Sequence, residues 1–92
     1  MFCEAWAHQG TPKSAQISKV MKDAMKLLFA ARFVKRPTRM ILLFGDKEAA
    51  KPFTGRSWMA QALRAKRIEV QIVELSKTVQ EAIRKAQKRQ FR

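Results

Sequence analysis

Apolar positions along the chain switch between a two-residue period and a three-to-four-residue one. Phe2 to His8 is short, apolar and aromatic, and it ends at Gln9-Gly10-Thr11-Pro12, a pattern that predicts a strand followed by a turn. Alternation puts Glu4, Trp6 and His8 on one face of that strand and Cys3, Ala5 and Ala7 on the other. Pro12 suits the first helical position with Thr11 as N-cap. From there Ile17, Val20, Met21, Ala24, Leu27, Leu28 and Ala31 recur at helical spacing, so a long amphipathic helix is expected to run to about Phe33. It stops before Pro37, because a residue preceding proline is pushed out of the α region.

Met40 to Phe44 is continuously apolar and closes at Gly45-Asp46, the signature of a central strand covered on both faces. A short helical stretch is expected over Lys47 to Lys51, ahead of Pro52. A further helix runs from about Ser57, with Trp58, Met59, Ala62 and Leu63 on its buried side. Ile68 to Leu75 alternates, with Ile68, Val70 and Ile72 facing one way and Glu69 and Gln71 the other, as in a strand nearer an edge. Thr78-Val79-Gln80-Glu81 has capping-box spacing, so the last helix is expected to begin there. Its apolar stripe is Val79, Ala82, Ile83 and Ala86, extended by Gln90 or Phe91.

The order strand, helix, strand, helix, strand, helix predicts a three-layer α/β fold of βαβαβα type. Its sheet is small, three-stranded and mainly parallel, with right-handed crossovers and helices on its faces. The 92 residues make one domain, spanning 1–92. A sheet this small has two open edges, which leads us to expect a second copy of the chain, or another subunit, over one of them.

Charge changes the picture most. Lys and Arg number 20 against 7 Asp and Glu, a formal net charge of +13, and such a field draws in polyanions. DNA or RNA is the expected partner, since each neutralised phosphate releases a condensed counterion; an anionic membrane surface or an acidic protein would feel the same field. The lone Cys3 excludes an internal disulfide, reads as a small core residue and fits a reducing compartment. The start carries Glu4 and no basic n-region, so no signal peptide is expected. No apolar run has the length of a membrane span, and a cytoplasmic protein is expected.

Chemistry in an open α/β sheet gathers at the carboxyl edge of the strands, here His8, Gly10, Thr11, Asp46 and Ser76 to Thr78. The three glycines have no fingerprint spacing, which sets aside a Rossmann or P-loop site and any organic cofactor. Glu4 is a carboxylate inside an apolar strand, either paired with a lysine, exposed at an edge, or a ligand for a divalent metal. Four residues of strand separate it from His8 by roughly 13 Å, too far to share an ion, so His8 reads as a strand-end polar residue. Asp46 and Glu48 either cap the helix that follows or hold Mg²⁺, with capping favoured. Phe53 and Trp58 read as core aromatics, with base stacking as their other use. Lys13, Lys19, Lys22 and Lys26 on the first helix and Arg84, Lys85, Lys88, Arg89 and Arg92 on the last have few acids to pair them, which fits phosphate contact.

Glu4-Ala5-Trp6-Ala7-His8-Gln9-Gly10, followed by Lys13, Gln16, Lys19, Asp23 and Lys26-Leu27, resembles the C-terminal half of PD-(D/E)XK-type nucleases over about Phe2 to Phe44. The resemblance implies that Glu4 is the acid of the motif and ligates Mg²⁺, which activates water at a scissile phosphate. Trp6 stands where the motif lysine is expected, so Lys13 or Lys19 would reach in from the helix as a catalytic lysine. The hairpin that carries the family's first Asp has no counterpart ahead of Glu4, so the resemblance implies either a truncated or split relative that keeps phosphate binding or a chain completed by another subunit. Three functions follow: a basic nucleic-acid-binding module with little catalysis alone, a Mg²⁺-dependent nuclease, or a protein-interaction or oligomerisation module.

Overall fold

The computed structural model describes residues 1–90, without the side chain of Gln90; Phe91 and Arg92 lie outside the described residues, as does any part they play in an apolar stripe or a basic face. The chain runs β1 (Phe2–Trp6), α1 (Ser14–Ala31), β2 (Met40–Phe44), α2 (Lys47–Ala50), a 3-10 turn (Lys51–Phe53), α3 (Trp58–Ala65), β3 (Ile68–Ile72) and α4 (Lys77–Gln90). β2 lies between β1 and β3 and is parallel to both, with Phe2 opposite Met40 and Met40 opposite Ile68. The expected small α/β fold with a three-stranded parallel sheet is what forms.

That register gathers Phe2, Glu4 and Trp6, then Met40, Leu42 and Phe44, then Ile68, Val70 and Ile72 onto one face. Val20, Ala24 and Leu27 of α1, with Ala49, Ala50, Phe53 and Leu63, close over Leu42, Phe44 and Ile68 to make the core. Phe44 and Phe53 stack at its centre with ring centroids 5.4 Å apart, so Phe53 is not available to a base. Strand order follows chain order, so both crossovers turn the same way and leave their helices on the same face.

Layering is where sequence and structure part. The other sheet face carries Cys3, Ala5, Ile41, Leu43, Glu69 and Gln71, and Cys3, Ala5 and Gln71 are exposed. α4 does not cover it: Val79, Ala82 and Ala86 of its apolar stripe are exposed and only Ile83 is half-buried. That face is covered only in part, with Ile41 buried and Leu43 half-buried, and Cys3 is an exposed thiol rather than a core residue. Trp58 also departs from expectation at 70% exposed. It is the first residue of α3, and the helical phase that buries Ala60 and Leu63 turns it outward.

Helix ends shift for local reasons. Lys13 occupies the cap of α1, and its N–H donates to Gln16 Oε1 at 2.7 Å, which places Pro12 just before the helix. The far end tapers through i→i−3 bonds from Arg32, Phe33 and Val34, each 3.2 Å. α4 starts at Lys77, not at Thr78, because Ser76 Oγ accepts from the Val79 N–H at 3.3 Å. β1 ends at Trp6 and β3 at Ile72, both shorter than their apolar runs, although Val73 still donates to the Phe44 carbonyl at 2.8 Å.

Candidate nucleic-acid interface

The carboxyl edge of the sheet is built around the turn after β1. Gln9 is only 2% exposed, and its Nε2 donates to the carbonyls of Ala7 and Gly45 at 3.1 and 3.0 Å, tying the ends of β1 and β2 together. Gly10 turns the chain at φ +88°, a conformation that glycine adopts without steric cost. Its N–H donates to Asp46 Oδ2 at 2.6 Å, the same oxygen that accepts from the Ala49 N–H at 3.3 Å. Asp46 thus caps α2 and holds the turn, as the capping reading expected. Thr11 Oγ1 donates to Glu48 Oε2 at 3.3 Å, so Glu48 braces the same turn.

α4 joins this edge through an amide. The Gln87 side chain accepts from the Gln9 N–H at 2.9 Å and donates to the Gln9 carbonyl at 3.1 Å. Between the turn and α4 lies an open groove of about 500 Å³ lined by His8, Gln9, Thr11, Lys13, Arg84, Gln87 and Lys88. Three cations from the two ends of the chain meet there, and no carboxylate is among the lining residues. Arg84 Nη1 comes within 3.7 Å of where a β-carbon on Gly10 would stand, so the guanidinium lies against the turn.

His8 is half-buried beside this groove, with Nδ1 3.2 Å from Gln16 Nε2. Gln16 Oε1 already accepts from Lys13, so its Nε2 is the donor and His8 Nδ1 the acceptor. The neutral ring therefore carries its proton on Nε2. His8 is thus fixed by the start of α1, in keeping with its reading as a polar residue past the strand end.

The other basic residues of the first and last helices lie on two surfaces. Lys19, Lys22 and Lys26 are exposed on α1, and Lys26 pairs with Asp23 at 3.7 Å. Lys85 and Arg89 are exposed on α4 with Arg84 and Lys88. Lys19 Nζ lies 5.6 Å from the centroid of the Trp6 ring, so it reaches over the end of β1. Glu4 is half-buried on the helix-covered face between Phe2 and Trp6. It supplies one carboxylate, and the described residues gather no group of three His, Cys, Asp or Glu able to hold a metal. Asp46 and Glu48 are engaged in the hydrogen bonds of the turn.

A second concavity, of about 750 Å³, runs along β3 and is lined by Arg39, Arg64, Arg67 and Glu69 among others. Its charge is partly neutralised. Arg39 Nε and Nη2 each donate to a carboxylate oxygen of Glu69 at 2.8 Å, a bidentate pair that lowers the Glu69 pKa and raises that of Arg39. No carboxylate is among the residues lining the carboxyl-edge groove, which favours it as the anion site.

Sequence reading found Lys13, Arg84 and Lys88 but missed Gln9 and Gln87, which bring them together. A buried amide at the end of an apolar strand is the only signal Gln9 offers, and Gln87 sits on a polar helix face with no periodic mark. Met25, Phe29 and Phe33 were also missed, although they stand off the phase of Val20, Ala24 and Leu27 and are exposed. Compared with protein-family models, curated proteins and solved structures, the chain gives no match.

Proposed function

We propose that this chain is a basic α/β module that binds nucleic acid through its carboxyl-edge groove and the exposed lysines of α1. The observation that carries this is the convergence of Lys13, Arg84 and Lys88 beside His8 in a groove with no lining carboxylate. Cations placed in this way cost folding stability through mutual repulsion, and a phosphate backbone removes that cost while releasing counterions. Resemblance to the C-terminal half of PD-(D/E)XK nucleases supports the same partner. The test is fluorescence anisotropy with labelled DNA and RNA at low and moderate salt. Affinity that falls steeply with salt supports the reading, and no binding at low salt refutes it.

A Mg²⁺-dependent nuclease is the second reading, favoured by Lys19 reaching over Trp6 two residues from Glu4. Since Glu4 offers one carboxylate by itself, that activity would need further ligands. Products run on a gel with and without Mg²⁺ decide it: cleavage that needs Mg²⁺ and vanishes in Glu4→Ala establishes a nuclease. A protein-interaction or oligomerisation role is favoured by the exposed Cys3, Ala5 and Gln71 on the far sheet face and the exposed Val79, Ala82 and Ala86 of α4. It predicts association that survives high salt, unlike phosphate-driven binding.

A further inference from the structure

Three large apolar side chains on the outer face of α1 and just past its end are left in solvent. Met25, Phe29 and Phe33 are 68%, 60% and 74% exposed. They recur every four residues, away from the stripe of Val20, Ala24 and Leu27 that packs on the sheet. Phe29 and Phe33 meet edge to face, with centroids 5.2 Å apart and planes at 76°. Single exposed apolar residues are ordinary, whereas a contiguous run of three marks a contact surface.

The charge around this run identifies what it contacts. Lys22, Lys26 and Arg32 are exposed and each precedes one of the apolar residues, in the order Lys22, Met25, Lys26, Phe29, Arg32, Phe33. Asp23 is the only acid between Glu4 and Asp46, and its carboxylate is mostly shielded and paired with Lys26. A bilayer offers headgroups and acyl chains in separate layers, so it suits cations ringing an apolar tip rather than alternating with it. A duplex offers phosphates with its bases stacked inside, and it would leave the two rings unused. A single strand presents phosphate and base in alternation, which is the order found along α1.

We infer that this face of α1 binds single-stranded nucleic acid, with bases stacked on Phe29 and Phe33 and phosphates held by Lys22, Lys26 and Arg32. The inference rests on the nucleic-acid reading above and supplies its strandedness. The T-shaped ring pair leaves outer ring faces open to a flat partner, and stacking needs no base identity, so little sequence preference is expected.

The experiment compares a labelled oligothymidine with a duplex of equal length, using the full chain, Phe29→Ala/Phe33→Ala, Lys22→Gln/Lys26→Gln and Phe29→Trp. Loss of the two rings should weaken single-strand binding by about fivefold to a hundredfold per ring and leave duplex binding unchanged. The lysine variant should weaken both and lower the salt dependence. Phe29→Trp should keep single-strand affinity and add fluorescence quenching on binding, which shows stacking in a folded protein. Equal losses on both strand forms, or no loss on either while binding persists, overturn the stacking inference and leave the polyanion reading intact. No binding to either form at low salt overturns both. Vesicles of phosphatidylglycerol are the control: ring-dependent vesicle binding, with nucleic-acid binding unaffected by the ring substitutions, assigns the face to a membrane surface and overturns the inference.

Discussion

The side-chain amide of Gln87 closes on the main chain of Gln9, accepting from its N–H at 2.9 Å and donating to its carbonyl at 3.1 Å. Two hydrogen bonds thus join residues 78 positions apart, and they brace Arg84 and Lys88 on α4 opposite Lys13. Little apolar burial holds the helix, since Val79, Ala82 and Ala86 are exposed and only Ile83 is half-buried. An isolated helix of its length, Lys77 to Gln90, is marginal in water. Gln87→Ala should therefore release α4 more than it destabilises the sheet, at a cost of about 1–2 kcal/mol for the lost pair. Hydrogen exchange should show the α4 amides losing protection while those of β2 keep theirs, and nucleic-acid affinity should fall with no charge removed.

Gly10 lies under the same clamp. Its φ of +88° is a conformation that an L side chain adopts only with strain, and its N–H is held at 2.6 Å by Asp46. Space is not the obstacle, because the nearest atom to an added β-carbon is Arg84 Nη1 at 3.7 Å. Gly10→Ala should cost about 1–2 kcal/mol from backbone strain alone. Urea unfolding should show a lower midpoint with an unchanged slope.

The sheet was legible in the sequence because apolar runs at Phe2, Met40 and Ile68 are separated by helical periods long enough for crossovers. Asp46 was legible as a cap because an acid between a strand and a helix has a local job. The layering was not legible. A run such as Met40 to Phe44 shows that both faces are apolar, yet Cys3 and Ala5, paired with Ile41 and Leu43, are exposed. Periodicity gave α4 an apolar stripe, but it could not show that the helix docks through Gln87 with that stripe facing solvent. Trp58 was misplaced for a related reason: an aromatic beside Met59 and Leu63 reads as core until the helix start fixes the phase. In the candidate site, each cation was visible singly. Their convergence depends on a polar contact between the two ends of the chain, which no local pattern encodes.

Glu69 gives the fold a pH dependence. The bidentate hydrogen bonds from Arg39 lower its pKa, outweighing the upward push of desolvation, while Arg39 stays charged throughout. A carboxylate with a depressed folded pKa contributes stability above the ordinary glutamate value of about 4.3 and loses it as pH falls through the lowered value. The gap in unfolding midpoint between the native chain and Glu69→Gln should thus be present at neutral pH and close on acidification. Both groups are solvent-accessible, so added salt should narrow the gap at neutral pH as well.

Arg67 has a positive φ of 57° just after α3, where its N–H bonds to the Arg64 carbonyl at 3.0 Å. Glycine is the usual residue at such a helix end, since an L side chain there crowds the following carbonyl. Arg67→Gly should relieve this strain at the cost of some unfolded-chain entropy, a net gain of about 0.5–1 kcal/mol. Thermal melts should show a higher midpoint, and affinity at the carboxyl-edge groove should be unchanged because Arg67 lines the separate concavity along β3.

Arg84 and Lys88 provide the most direct reading of the groove. If each neutralises one phosphate, replacing both with glutamine should reduce the slope of log affinity against log salt by about 1.4 for a single strand or 1.8 for a duplex. Gln87→Ala is the companion variant, because it moves both cations without removing either. A smaller slope in the glutamine variant, with Gln87→Ala losing affinity at low salt, would mean that the cations act in place and that α4 positions them. An unchanged slope in the glutamine variant would place the phosphates elsewhere, on the lysines of α1. Lys85→Gln/Arg89→Gln separates local contact from bulk charge: it removes the same net charge from α4, but neither residue lines the groove. If that control flattened the slope equally, the charge of α4 as a whole would be responsible, and the groove would have no special part in binding.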